Sequence, residues 1–397
     1  MALSKFIKGM DVSSLIEERE CGARYYDGGK EESALSILKN YGADSLRLRL
    51  WNDPYSPAGN PHGKSYGDPH GKSYGTPHRK SYGGGTNDFD KLVELAKEGR
   101  ALGYSYLLDF QYSDFWADPG KQFPPKAWKN YSVEELEHAV YDYTKETLIN
   151  LKERDLLPDM VQVGNEVTNG LLWPLGAEGC YDNIAKFLNA GIRAVREIVP
   201  DAPVMLHLDC GGNNARCRQW FDEYMQRGEA FDLIGLSYYP FWHGTIDDLT
   251  FNMNDLANRY DKEIVLVEVS MGYTMEDYAG YEKLAANERK GMATKPHLVE
   301  NLEFPMTREG QGAFMQKVME RIAQIPNGKG RGFYYWEPAW IPVPGCGWAN
   351  EESLAYIEDG GPGGNEWANQ ALFDYEGNAL PALSVIRDFS PLPDNQK

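Results

Sequence analysis

Long apolar runs are missing from this chain. No stretch of about 18 apolar residues occurs in its 397 positions, which excludes a bilayer-spanning helix. Positive charge is also short, with 40 Lys and Arg against 59 Asp and Glu and a formal net charge of −19. Nucleic acid and anionic membrane both demand a basic patch, so neither is expected as a partner. Cysteine is scarce: Cys21, Cys180, Cys210, Cys217 and Cys346 are odd in number and scattered in spacing. That fits neither a zinc knuckle nor a dense disulfide framework, and leaves room for one disulfide among otherwise buried or free thiols. The N-terminus, Met1-Ala2-Leu3-Ser4-Lys5-Phe6, lacks a charged-then-apolar leader and runs straight into a strand-like segment. Either the protein stays inside the cell or a leader has been removed.

Aromatics, by contrast, are plentiful. Apolar residues at 42% can fill a large core, and ten Trp with 25 Tyr exceed what such a core requires. An aromatic-lined groove is the natural use for the surplus, although several of these rings must simply plug the core.

Eight strand-like runs organise the chain: Phe6–Asp11, Asp44–Leu50, Tyr104–Phe110, Asp159–Asn165, Pro203–Asp209, Phe231–Tyr239, Glu263–Val269 and Arg331–Trp336. Amphipathic segments lie between them, among them Asn87–Leu102, Val133–Arg154, Ile184–Ile198 and Gly310–Ile325. Strands alternating with helices imply a parallel sheet, and eight repeats imply closure into an α/β (β/α)8 TIM barrel. No composition break marks a second domain, so residues 1–397 are read as one catalytic domain with long active-site loops. One insertion stands apart at 60–85, where Pro61–Asp68, Pro69–Thr76 and Pro77–Gly84 repeat an eight-residue unit rich in Gly and Pro. It is too short for a solenoid and reads as a duplicated surface loop after the second strand. Its His62, His70 and His78 recur at a fixed step suited to a metal, and its Tyr66, Tyr74 and Tyr82 would suit a sugar groove. The plainer reading, a tandem duplication in a tolerant loop, is preferred.

Two strand ends carry the chemistry. Asp159–Glu166 runs as a short strand, breaks at Gly164 and delivers Asn165 beside Glu166; Glu263–Glu268 also ends on a glutamate. Functional groups of a parallel barrel sit where strands end. Two carboxyls there suit glycoside hydrolysis, in which one is a protonated acid and the other attacks or activates water. Separations of about 5–5.5 Å would mean a nucleophilic Glu268 and retention, and about 6.5–9.5 Å inversion. Arg47 and Arg49 share one face of the second strand, and Arg49 is placed among the supporting residues, where a guanidinium would keep the nucleophile ionised. Asn165, His207, Tyr239 and Trp336 complete that support. Parity with Gly235 and Ser237 points Tyr239 inward towards Glu268, with Tyr238 as the alternative.

Six segments together resemble glycoside hydrolase family 53: Lys8-Gly-Met-Asp-Val-Ser-Ser14, Arg47-Leu-Arg-Leu-Trp-Asn-Asp-Pro54, Tyr112-Ser-Asp-Phe-Trp-Ala-Asp-Pro-Gly120, Val161-Gln-Val-Gly-Asn-Glu166, Ser237-Tyr-Tyr-Pro-Phe-Trp-His-Gly244 and Tyr335-Trp-Glu-Pro-Ala-Trp340. The likeness runs through the whole chain in order, ending at Trp367-Ala-Asn-Gln-Ala-Leu-Phe-Asp374. It implies a retaining endo-β-1,4-galactanase acting on the galactan side chains of type I arabinogalactan and pectin, with Glu166 as acid/base and Glu268 as nucleophile. It further implies substrate contacts at Asp114, Trp116, Trp242, His243, Trp340 and Trp348. A secreted or periplasmic monomer whose leader is absent from this sequence is expected.

Three departures from the family pattern stand out. Gln111 occupies a position where a histidine is usual, the insertion after the second strand is expanded, and Glu276–Tyr281 keeps few of the ligands with which bacterial relatives bind calcium. A structural calcium is therefore doubtful, and no cofactor or catalytic metal is expected, because His207 and His243 are the only histidines near strand ends and form no ligand cluster. The competing readings are a retaining barrel enzyme for mannan or xylan, and a non-catalytic glycan-binding barrel.

Overall fold

The computed structural model describes residues 6–57, 80–278, 296–361 and 363–391. Eight parallel strands close into a barrel: β1 (Ile7–Asp11), β2 (Ser45–Leu50), β3 (Ser105–Phe110), β4 (Met160–Val163), β5 (Val204–Leu208), β6 (Leu233–Tyr238), β7 (Glu263–Val269) and β8 (Gly330–Trp336). Each pairs with its neighbours in sequence, and β8 closes on β1. The strands coincide with the eight runs expected from alternation to within one or two residues. A principal helix follows each in turn: α1 (Ala34–Asn40), α2 (Phe89–Ala101), α3 (Val133–Lys152), α4 (Tyr181–Ile198), α5 (Asn214–Met225), α6 (Ile246–Tyr260), α7 (Arg308–Ala323) and α8 (Ala382–Asp388). None is long and apolar enough to cross a membrane.

Local chemistry explains where these helices begin. Ser132 accepts from the Glu135 amide while the Glu135 side chain accepts from the Ser132 amide, a reciprocal cap that satisfies two otherwise orphaned donors of α3. Thr245 and Asp248 repeat the device at α6.

The barrel interior is layered. Ile7, Leu107, Met160, Met205, Leu233, Val265, Val267 and Tyr334 form an apolar plug. Gly9 is required in β1 because a Cβ there would sit 2.2 Å from the Tyr334 ring. Leu46, Leu48 and Leu50 of β2 pack outward in the main core, while the alternate residues Arg47 and Arg49 turn into the barrel. A charged layer thus lies above an apolar one.

The triplicated insertion falls mostly on residues 58–79, so His62, His70, His78, Tyr66 and Tyr74 lie outside the described residues. Its flanks are anchored. Tyr55 and Ser81 form an antiparallel bridge, and the Asn350 amide donates to the Ser81 carbonyl at 2.8 Å. Tyr82 does not face a sugar groove: it is fully buried and stacks on Tyr356 with centroids 4.8 Å apart. Cys210 and Cys217 are joined as a disulfide, whereas Cys21, Cys180 and Cys346 are free.

Candidate active site

Strict alternation along β7 would turn Glu268 towards the helices, because Val265 and Val267 already point into the barrel. The strand carries one extra residue. Leu236 of β6 pairs with Leu266 but Ser237 pairs with Glu268, and on the other side Phe333 pairs with Leu266 but Tyr335 with Val269. This bulge re-aims the side chain, so the consecutive Val267 and Glu268 both face inward. Tyr239 then donates to Glu268 Oε2 at 2.7 Å, and Arg47 donates to Oε1 at 2.8 Å.

Glu166 is delivered by a turn. β4 ends at Gly164, whose φ of +80° is costly for any other residue and whose missing Cβ leaves room for Val167. Glu166 itself has a φ of +47°, a left-handed conformation that costs a non-glycine residue about 1–3 kcal/mol and tends to persist at functional sites. Gln122 steadies it by donating to the Asn165 carbonyl at 2.8 Å and to that of Glu166 at 3.3 Å. Ser237 Oγ lies 2.6 Å from Glu166 Oε1.

Behind the two glutamates sits a buried ion network. Arg47 also donates to Asp11 at 2.8 Å, Asp109 at 2.9 Å and Asn165 Oδ1 at 2.7 Å. Arg49, the guanidinium expected beside the nucleophile, pairs instead with Asp11 and Glu337 and lies 4.5 Å from the Trp116 ring centroid. The correction is one of depth. Both arginines turn inward from β2, but only the one a step nearer the barrel centre reaches Glu268.

One carboxylate oxygen from each of Glu166 and Glu268, with one ring nitrogen of His207, lie within 4.8 Å of one another. Among the described residues no other such group of His, Cys, Asp or Glu converges. Burial raises both carboxyls, and their surroundings separate them. For Glu268 the Arg47 charge and the Tyr239 hydroxyl oppose the rise. For Glu166 the charges of Glu268 and Asp209 add to it, leaving this carboxyl well above the ordinary range. Of the two, Glu166 is the carboxyl whose surroundings favour the protonated form.

The cavity over this pair is lined by Arg49, Gln111, Asp118, Lys121 and Asn165 together with five indoles, Trp116, Trp242, Trp336, Trp348 and Trp367. Trp242 is half exposed and also lines an adjoining cleft with Asn169, Asp209 and His243. Of the aromatic contacts the resemblance implies, Trp116, Trp242 and Trp348 line this cavity. Trp340 does not: it is fully buried and stacks between Trp116 and Trp367, supporting the rings that face the cavity. Asp114 is likewise buried, accepting from the amides of Asp53 and Lys126, and His243 Nδ1 accepts from the Tyr239 amide. His207 is sealed behind Glu166. Tyr238 points away, its hydroxyl donating to the Gly244 carbonyl. Gln111 accepts from Trp51 Nε1 at 2.7 Å and donates to Asp109 at 3.2 Å, which ties it into the network. Asp11, Asp109, Gln162 and Glu337 are not singled out by the sequence, and Ser237 only for its small size. For Asp11, Asp109 and Gln162 the one signal is inward parity on strands beside the arginines; Glu337, just past the end of β8, lacks even that. In the loop after β7, residues 279–281 lie outside the described residues.

The sequence profile of glycosyl hydrolase family 53 matches residues 7–386. The chain is 37% identical over 401 residues to an endo-β-1,4-galactanase of Bacillus subtilis, covering 96% of this chain and 85% of that one. Against arabinogalactan endo-β-1,4-galactanase A of Aspergillus niger it is 31% identical over 358 residues, covering 87% and 89%. Among solved structures, the family 53 catalytic domain of Ignisphaera aggregans superposes with a TM-score of 0.83 at 36% identity, over 96% of this chain and 95% of that one. A fungal β-1,4-galactanase superposes with a TM-score of 0.73 at 26% identity, over 97% and 100%.

Proposed function

The chain belongs to glycosyl hydrolase family 53, and from that premise we propose that it cleaves β-1,4-galactosidic bonds within galactan chains by double displacement at Glu268 and Glu166. The observation that carries this reading is the pair itself. One carboxylate oxygen of each lies within 4.8 Å of one from the other, and among the described residues a guanidinium, that of Arg47, backs Glu268 but not Glu166. That spacing suits direct attack rather than an intervening water, which needs about 6.5–9.5 Å between carboxyls.

In the first step Glu268 bonds to the anomeric carbon as the bond to the leaving oxygen breaks, and Glu166 gives that oxygen its proton. In the second, Glu166 takes a proton from water, the water oxygen attacks the same carbon, and Glu268 leaves. Two inversions return the original configuration. Arg47 and Tyr239 hold Glu268 as an oriented carboxylate. The indoles offer flat apolar faces to the carbohydrate. Trp242 borders both the cavity and the adjoining cleft, so a chain can continue past the cleaved bond, which supports endo action.

A polymeric substrate too large to cross a membrane supports action outside the cytoplasm. The two displacements call for no metal, and both ring nitrogens of His207 face protein partners. Full activity after chelation is expected. The reading is tested by offering galactan, mannan and xylan and sizing the products. Galactan broken into internal fragments is the expected result. Hydrolysis of mannan or xylan in preference, or release of monosaccharide alone, contradicts it.

A further inference from the structure

Asn165 fixes the direction of the hydrogen bonds behind Glu166. Its Oδ1 accepts from Arg47 Nη2 at 2.7 Å, and its Nδ2 donates to the Ala117 carbonyl at 2.8 Å. A guanidinium only donates and a carbonyl only accepts, so the amide has one orientation. His207 Nδ1 lies 2.9 Å from that same Oδ1. Two acceptors do not sit so close, hence Nδ1 bears the proton. The other two neighbours of Nδ1 are donors at longer range, Gln162 Nε2 at 3.2 Å and the Glu166 amide, which points at Nδ1 from 3.4 Å; the contact at 2.9 Å is the stronger and sets the ring proton. Gln162 Nε2 has nearer acceptors for its two hydrogens, Asp109 Oδ1 at 2.7 Å and the Gly164 carbonyl or Asn165 Oδ1 at 3.0 Å.

A neutral ring protonated at Nδ1 presents a bare lone pair at Nε2. Ser237 Oγ is 2.8 Å from it, and the single hydroxyl hydrogen belongs there. Ser237 must then turn a lone pair towards Glu166 Oε1, 2.6 Å away. A contact of that length between two oxygens needs a hydrogen, and the one left to supply it is the carboxyl proton of Glu166.

We propose that Ser237 and His207 are positioning residues that keep the proton on Glu166 in the resting enzyme, an inference that rests on reading Glu166 as the acid/base. Neither residue lines the cavity, and both are fully buried. When Glu166 has protonated the leaving oxygen, its carboxylate needs the Ser237 hydrogen, and His207 Nε2 is then left facing an oxygen lone pair. The strand pair behind the acid therefore resists its ionisation and favours the return of a proton from water in the second step. Only the Glu166 proton travels. The Ser237 hydrogen merely turns, and Nδ1 keeps its own.

A doubly protonated ring would reverse the order by donating from Nε2 to Ser237. Burial, the Arg47 charge and His243 hold His207 neutral, its basicity far below the ordinary range. The charged groups facing Glu166 act in the same sense as the relay: Glu268 from β7, Asp209 at the end of β5 and Asp118 from the loop after β3 all disfavour a second negative charge. Lys121 is paired with Asp118, and Tyr239 spends its hydroxyl on Glu268.

The direct test is nitrogen NMR of the full chain labelled at histidine, with the His207 signals assigned by their loss in His207→Gln. A ring protonated at Nδ1 and bare at Nε2 between pH 5 and 8 is expected. Protonation at Nε2 overturns the proposal. Kinetics supply a second reading. Ser237→Ala and His207→Gln are expected to move the basic limb of the kcat/KM profile down by about one pH unit, the worth of one hydrogen bond. They should also lose more on galactan than on an aryl galactobioside whose leaving group needs no proton, while Ser237→Thr keeps the wild-type limb. An unshifted limb with equal losses on both substrates overturns the proposal. A wild-type protein inert on galactan would instead remove the activity reading, while the tautomer of His207 still decides the relay.

Discussion

Arg47 and Glu268 meet across the barrel at 2.8 Å, 221 positions apart in the chain, and the guanidinium that holds Glu268 also holds Asp11 and Asp109. One buried cation thus serves three buried carboxyls. Burial works against its charge, but Asp109, Glu268 and Asp11 together raise its pKa far beyond the usual arginine value.

Removing that cation should be expensive. Arg47→Met is expected to lower stability at pH 7 by about 3–5 kcal/mol, because it strands buried carboxylates without a partner. The loss should shrink at pH 5, where those carboxyls can take up protons instead. Urea unfolding at both pH values checks this, and a change within about 1 kcal/mol at pH 7 contradicts it.

Tyr239→Phe deletes one hydrogen bond to the carboxylate of Glu268 and little else near it. A bond to a charged group is worth about 1.5–3 kcal/mol, so kcat/KM should fall by roughly 10- to 100-fold. The ionised form of Glu268 loses support, its pKa rises, and the acidic limb of the kcat/KM profile moves to higher pH. An acidic limb that stays put or moves down tells against Glu268 as the group that must be ionised.

Asp109 offers a test of the network through folding. Burial first, then the charges of Asp11 and Glu268, outweigh Arg47 and Gln111 and push its pKa up to about 7, against about 3.9 in the unfolded chain. Between those values the folded state keeps a proton that the unfolded state has lost, so stability falls as pH rises from about 4 to about 7. The slope is at most about 1.4 kcal/mol per pH unit for one group. Asp109→Asn has no such proton to lose. The wild type should therefore lose ground to the variant as pH climbs through that window, read from urea midpoints at pH 4.5, 6 and 8. A constant difference between the two proteins contradicts it.

The barrel was legible because its strands alternate and its helices are amphipathic, and both periods follow from one buried face. The site was legible only in part. Val265, Val267 and Glu268 cannot all point inward in a regular strand, so alternation alone would have discarded Glu268; its place at a strand end and the family resemblance kept it. The bulge that rescues it depends on pairing with β6 and β8, which a single strand does not encode. Arg47 and Arg49 share parity, and parity states direction without depth. Trp340 was expected to face the substrate and Trp367 had no assigned role, yet Trp367 lines the cavity and Trp340 lies behind it in one indole stack, an order that only packing decides. Ser237 was noticed for its small size. Its hydroxyl acquires meaning from His207, a residue on the neighbouring strand.

The central claim is that Glu268 becomes covalently bound to the sugar while Glu166 protonates what leaves. It is met most directly by intact-mass and peptide analysis after incubation with an activated 2-deoxy-2-fluoro-β-galactobioside, which slows the second displacement more than it prevents the first. One added 2-deoxy-2-fluorogalactobiosyl unit on the peptide containing Glu268 is the result expected, and its absence in Glu268→Ala should follow. A label on any other side chain, or hydrolysis with inversion and no adduct, would contradict the account.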